Sequence, residues 1–158
     1  MIVHVPSSSE DIYFMSHALN QAQKAFDSGE IPIGSIVVQD DIIIGSGYNQ
    51  TETKHSQMYH AEMIALNHAC MRTKDWRLEN ATIYVTLQPC MMCFGYIALS
   101  RVSRIVYGAP SKLFGYDLDC DHIPVLYQKH IKSMTTHVCA DESEYMLKLF
   151  FKKRRNRE

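Results

Sequence analysis

No stretch of this sequence approaches the run of about 18–20 apolar residues that a membrane-spanning helix needs. Its start, Met-Ile-Val-His-Val-Pro-Ser-Ser-Ser, lacks the basic opening and apolar core of a secretion signal. Cysteine is sparse, five residues in 158 at uneven spacing, which argues against the disulfide framework of small secreted domains and favours metal binding. An excess of one charge is missing too. The formal net charge is −1, so a nucleic-acid partner would have to be met by a local patch. Internal repeats, low-complexity linkers and a second domain are also missing. The expectation is a soluble protein of a reducing cytoplasm. The 46% apolar and 21% charged residues that are present suit one globular domain over residues 1–158.

Periodicity then places the elements. Ser7 stands three places before Glu10 in capping-box spacing, Ile12, Met15, Leu19, Ala22 and Phe26 follow at helical intervals, and Gly29 is a natural stop. Two β-rich runs, Ile33 to Val38 and Ile42 to Gly45, read as a hairpin across the three residues Gln39-Asp40-Asp41. A polar loop from Asn49 to Tyr59 leads to a helix over Ala61 to Met71. A buried-type strand over Ala81 to Leu87 ends at Pro89, a helix follows from Cys90 to Ser100, then a strand from Arg104 to Tyr107. Beyond Pro110 the pattern predicts a helix near Val125 to His130, a strand near Met134 to Val138 and a closing helix from Asp141. This alternation predicts a three-layer α/β/α domain around a mixed five-stranded sheet opened by the antiparallel hairpin.

Two short stretches carry chemistry: Tyr59-His60-Ala61-Glu62 and Gln88-Pro89-Cys90-Met91-Met92-Cys93. Each falls where a loop or strand turns into a helix. Cys90 and Cys93, three apart, share one helix face. At a helix N-terminus the free N–H groups and the dipole favour thiolates. Pro89 sets the helix start without removing a needed donor. With His60 the two thiolates make three zinc ligands and leave the fourth tetrahedral position to water, as a catalytic site requires. Zinc brings the pKa of that water to about 7, and Glu62, two residues from His60, is the candidate proton carrier. A lone C-x-x-C is equally a redox pair, half a zinc knuckle or two core thiols, and a lone H-x-E is commonly plain loop. Together they form the H-x-E…P-C-x-x-C signature of zinc deaminases acting on cytosine and adenine.

Beyond that signature the chain resembles the bacterial tRNA adenosine deaminases, of the cytidine-deaminase-like superfamily. The likeness covers nearly the whole chain: the turn from Gly29 to Gly34, Gly47-Tyr48-Asn49, Asp75-Trp76-Arg77-Leu78, Tyr84 to Cys93, Ser100-Arg101-Val102 and Phe150 to Arg155. The resemblance implies a homodimer, one zinc per subunit, and conversion of adenosine to inosine at the wobble position of a tRNA anticodon. It also implies that Asn49 contacts the flipped adenine and that Ile33 and Leu87 wall the base pocket. An amide presents donor and acceptor together to a purine edge, although Asn49 also suits a turn. Two features depart from the family. Gln88 stands where the family usually has Glu, and the segment Pro110 to Asp121 is more acidic and aromatic than the Lys- and Gly-rich loop expected there. Three aspartates are unfavourable beside a phosphate backbone, while Phe114 and Tyr116 are candidates to stack on bases.

Lys148, Lys152, Lys153, Arg154, Arg155 and Arg157 gather around Phe150 and Phe151. They suit either a solvated helix end or an arm that contacts phosphate. Cys120 and His122 read as ordinary loop residues rather than a second metal pair, and Cys70 and Cys139 as buried thiols. Two other functions fit the same motifs: deamination of a free base or nucleoside (guanine, cytosine or cytidine), and a non-catalytic zinc fold that binds RNA. The retained Glu62 argues against the latter.

Overall fold

Apolar residues of the central strands divide between two faces. Val37, Ile83, Val85, Ile105 and Tyr107 meet Ala65, Leu66, Ala69, Phe94 and Ile97 on one side, whereas Ile36, Val38, Tyr84 and Val106 meet Phe14, Met15 and Ala18 on the other. The result is the expected three-layer α/β/α arrangement, seen in a computed structural model that describes residues 2–117 and 123–156. The strands are β1 (Val3–His4), β2 (Gly34–Gln39), β3 (Ile42–Tyr48), β4 (Thr82–Leu87), β5 (Arg104–Ala109) and β6 (Ser133–Thr135). The helices are α1 (Ser9–Asp27), α2 (Thr51–Lys54), α3 (Ala61–Thr73), α4 (Met91–Leu99), α5 (Val125–Gln128) and α6 (Ala140–Arg155). Helices α3 and α4 cover one face and α1 and α6 the other. None of the described helices is long and apolar enough to cross a membrane.

The sheet has six strands in the order β1-β6-β5-β4-β2-β3, not five. The additional strand, β1, pairs parallel to β6 through Val3↔Ser133 and His4↔Met134. Two residues carry no readable periodicity. Strand β6 ends at Thr135, short of the predicted Val138, because His137 and Cys139 turn to positive φ (64° and 52°). In the β2–β3 hairpin Gln39 pairs with Ile42, so the connection is two residues rather than three. Asp40 and Asp41 both adopt positive φ (51° and 60°), the geometry of the tight turns that match strand twist.

Helix α1 starts one residue later than the capping-box spacing predicts. Ser8 Oγ accepts from the Asp11 N–H at 3.1 Å, and the Ser8 N–H donates to Asp11 Oδ2 at 2.9 Å. The register is decided by tertiary contacts: the fully buried Asp11 carboxylate also accepts two bonds from Arg104 (2.8 and 2.9 Å) and one from the Tyr84 hydroxyl (3.1 Å). Ile12, expected in the core stripe, is 54% exposed, and Phe14 is buried instead.

Strands β4 and β5 run parallel, with Leu87 beside Ala109, so their C-terminal ends open at one edge, where α/β sheets commonly bind ligands. Two glycines set how closely α3 packs there. A Cβ on Gly45 would lie 2.2 Å from the Ala65 carbonyl oxygen, and one on Gly47 would lie 2.6 Å from that of Ala61. The start of α3 therefore rests directly on β3. Leu118 to His122, which include Cys120 and His122, lie outside the described residues, as does Arg157.

Candidate active site

His60 and Cys90 are the N-cap residues of α3 and α4, and Cys93 sits in the first turn of α4. The three ligand atoms lie within 4.8 Å of one another. His60 Nδ1 is 3.7 Å from Cys90 Sγ and 3.4 Å from Cys93 Sγ. Zinc bonds of about 2.3 Å to sulfur and about 2.0–2.1 Å to nitrogen at a tetrahedral angle place S and N about 3.5 Å apart. The donor set and its spacing fit that ion. Of the expected site residues, Glu62 does not join the group of three ligand atoms.

Electrostatics in the protein without metal follow the same geometry. The Cys90 thiol is pulled down to about 4, first by a hydrogen bond from Cys93 and then, against burial, by His60. Cys93, 0% exposed, is pushed up by its role as the donor in that bond and by burial. The pair shares one proton, which a divalent cation would displace. His60 is raised by its bond to Cys90 against the cost of burial, with Glu62 adding to the rise. Glu62, at the second position of α3 and 4% exposed, is pushed up to about 7, chiefly by burial. Its own backbone N–H and the nearby His60 oppose the shift. A carboxyl near neutrality is suited to both taking and returning a proton.

Register brings the predicted base-pocket residues into one row. The β2–β3 pairing Gly34↔Tyr48 continued by one step, and the β2–β4 pairing Ser35↔Val85 continued by two, set Ile33 beside Asn49 and opposite Leu87. The Asn49 N–H donates to the Ile33 carbonyl at 3.0 Å. The row lies at the sheet end where α3 and α4 begin. Ile33 and Leu87 are half-buried, and Asn49 is 4% exposed.

Several supporting residues were not singled out from sequence. Gln57, in a 3₁₀ turn (Gln57–Tyr59), holds His60 Nε2 at 2.9 Å through Oε1. Glu30, 1% exposed, accepts from the N–H groups of Glu52 and Thr53 (3.2 and 2.7 Å) and so anchors the connection between Asn49 and His60. The Glu30 contacts join segments 22 and 23 residues apart, whose adjacency no local pattern announces, whereas Gln57 stands only three residues from His60.

The segment after β5 differs from expectation. Tyr116 is 7% exposed and stacks on Phe94 with centroids 4.4 Å apart, so its ring is committed to the core rather than free to stack on a base. Phe114 is 74% exposed. Cys70 and Cys139 are half-buried rather than buried, although burial still raises both thiols. At the opposite end of α3, Trp76 lies between the guanidinium groups of Arg77 and Arg101 (4.4 and 5.1 Å). In the basic tail, Phe150 packs on Phe26, Lys153 Nζ lies 4.6 Å from the Phe26 ring, and Lys148 pairs with Glu144 at 3.2 Å.

Residues 8–155 match the family model of the MafB19-like deaminases. The chain is 44% identical over 109 residues to a tRNA-specific adenosine deaminase of Streptococcus pyogenes serotype M18, covering 69% of each protein. It is 40% identical over 148 residues to one of Buchnera aphidicola subsp. Schizaphis graminum, covering 94% of this chain and 98% of that one. A solved structure from work on A-to-I editing by tRNA:A34 deaminases at the wobble position superposes with a TM-score of 0.75 at 31% identity, covering 85% of this chain and 99% of that one.

Proposed function

We propose that this chain, which belongs to the MafB19-like deaminases and, among them, to the tRNA-specific adenosine deaminases, converts adenosine to inosine at the wobble position of a tRNA anticodon. The observation that carries the reading is the convergence of His60, Cys90 and Cys93 within 4.8 Å beside the buried Glu62. These three residues hold zinc, one per subunit. Zinc, when bound, makes a water nucleophilic at neutral pH.

The chain's own residues do the rest. The flipped adenine lies against Ile33 and Leu87, and the Asn49 amide bonds its edge. Glu62 takes a proton from the attacking water and passes it to N1 of the base as the C6–O bond forms. The same carboxyl then helps protonate the departing amine as the C6–N bond breaks, so adenosine and water give inosine and ammonia. The buried Glu62 carboxyl, raised from its ordinary value by desolvation, supports this role as a proton carrier.

The protein works in the cytoplasm as a single-domain homodimer. Exposed apolar residues beside the metal ligands, Met58, Tyr59, Met91 and Met92, support a contact between subunits there. The basic end of α6 meets RNA phosphate.

The test is incubation of an anticodon stem-loop carrying a wobble adenosine, followed by sequencing. Inosine reads as G, so A-to-G conversion at that one position is expected. Reaction of free adenosine, guanine or cytidine with no conversion of the stem-loop would overturn the tRNA reading.

A further inference from the structure

The chemistry above makes no use of Gln88, which stands between β4 and the ligand Cys90 and is 6% exposed. Its Oε1 accepts from the Ser111 N–H at 3.0 Å, and its Nε2 donates to Asp117 Oδ1 at 2.7 Å. One neutral amide thus closes both ends of segment 111–117. Inside the closed segment, the Tyr116 N–H donates to the Pro89 carbonyl at 3.0 Å, and Gly115 bridges Cys90 in antiparallel fashion. A Cβ on Gly115 would lie 2.7 Å from Gln88 Oε1 and 2.9 Å from the Ser111 carbonyl oxygen, so the segment sits as close as a glycine allows. Lys112, Leu113 and Phe114 face outward, the last two 79% and 74% exposed.

The two partners require an amide at position 88. A backbone N–H only donates, and an ionised carboxylate only accepts. Glutamate here could serve Ser111 but would face Asp117 at contact distance, where two carboxylates cannot both ionise.

We propose that Gln88 and Asp117 form a latch that fixes segment 111–117 as a wall of the substrate opening beside Cys90, and so governs how tightly the polynucleotide is held rather than how fast the base reacts. The inference rests on the deaminase reading of the same site. Gln88 acts through the segment and is a positioning residue. The double variant Gln88→Glu/Asp117→Asn reverses the polarity of the latch while keeping both bonds.

The experiment compares wild type, Gln88→Glu and the double variant in two measurements. Hydrogen exchange across residues 111–117 should accelerate in Gln88→Glu and return to wild-type rates in the double variant. KM for the anticodon stem-loop should rise about tenfold in Gln88→Glu, the size expected for one charged hydrogen bond, with kcat within about twofold, and should recover in the double variant. Asp117→Ala, at an exposed position, opens the latch without adding charge and covers the case in which Gln88→Glu does not fold. Wild-type exchange and KM in that variant would overturn the latch. So would a Gln88→Glu defect that persists in the double variant, since the added charge beside the metal turn would then be its cause. Failure of wild-type protein to convert the stem-loop overturns the deaminase reading instead, and the exchange rates still decide the latch.

Discussion

The ring nitrogen Nε2 of His60 lies 2.9 Å from Oε1 of Gln57. A carbonyl oxygen only accepts, so the bond holds a proton on Nε2 and makes Nδ1, the atom that faces the two sulfurs, the one to give up its proton and bind a metal. Partners of this kind orient a metal-binding imidazole, and their loss commonly costs 10–100-fold in affinity. Gln57→Leu should therefore weaken zinc binding by a factor on the order of 10–100. Competition with a chromophoric chelator measures it, and an unchanged affinity would remove Gln57 from the metal site.

Glu62→Ala separates metal binding from chemistry. Glu62 lies outside the group of three ligand atoms, so zinc content should stay at one per chain by elemental analysis. The rate should fall by roughly 10²–10⁴ or more, the range for loss of a general acid–base. Retention of activity would overturn the assigned role, and loss of zinc would make Glu62 a ligand.

The fold was legible in the sequence wherever signals were local. The apolar stripe from Met15 to Ala22 and the β-rich runs around Val37 and Ile83 stand close to where they were expected. The grouping of His60, Cys90 and Cys93 was legible because H-x-E and C-x-x-C are local motifs, each tied to a helix start. Contacts across long sequence separations were not. The shift of the α1 cap from Ser7 to Ser8 depends on Arg104, 93 residues from Asp11. The capture of Asp117 by Gln88 spans 29 residues, and the stack of Tyr116 on Phe94 has no sequence signature. The substitution of Gln for Glu at position 88 reads as a departure in sequence alone, and its reason becomes visible only when Asp117 is seen beside it.

The Asp11–Arg104 pair gives a pH dependence with a definite sign. Burial pushes the Asp11 carboxyl up, but the bonds from Arg104 and Ser8 outweigh it and hold the pKa below the ordinary 3.8. A depressed carboxylate contributes stability that is present above its unfolded value and is lost as pH falls through its folded value. Asp11→Ala strands the partly buried guanidinium of Arg104 and should cost about 3–5 kcal/mol near neutral pH. The gap between wild type and variant in urea unfolding should narrow below about pH 3.8 and continue closing at lower pH. A gap independent of pH would assign the loss to packing.

The basic end of α6 should reveal itself through salt. Lys148 and Lys153 have local partners, whereas Lys152, Arg154 and Arg155 are exposed on the last turn of the helix. Neutralising those three should weaken RNA binding. It should also flatten the slope of log affinity against log salt by about 2, at ~0.7 per phosphate contact on a single strand. Filter-binding titrations at several salt concentrations measure the slope, and a slope equal to that of wild type would make the tail a solvated helix end.

The close seat of α3 on β3 predicts that a methyl group at Gly47 acts on the metal site from a distance. Its carbon would lie 2.6 Å from the Ala61 carbonyl oxygen and 2.7 Å from Ile64 Cβ, so the start of the helix must lift. Ala61 lies between His60 and Glu62, and both move with it. At Gly45 the conflict is with Ala65 and Ala69, one to two turns further along the helix. Each Gly→Ala change should cost about 1–3 kcal/mol by overpacking, read from urea unfolding. Gly47→Ala should also lower zinc affinity several-fold more than Gly45→Ala, because only the former displaces the turn that carries the ligand. Equal zinc affinities in two equally destabilised variants would show that α3 transmits no such shift to His60.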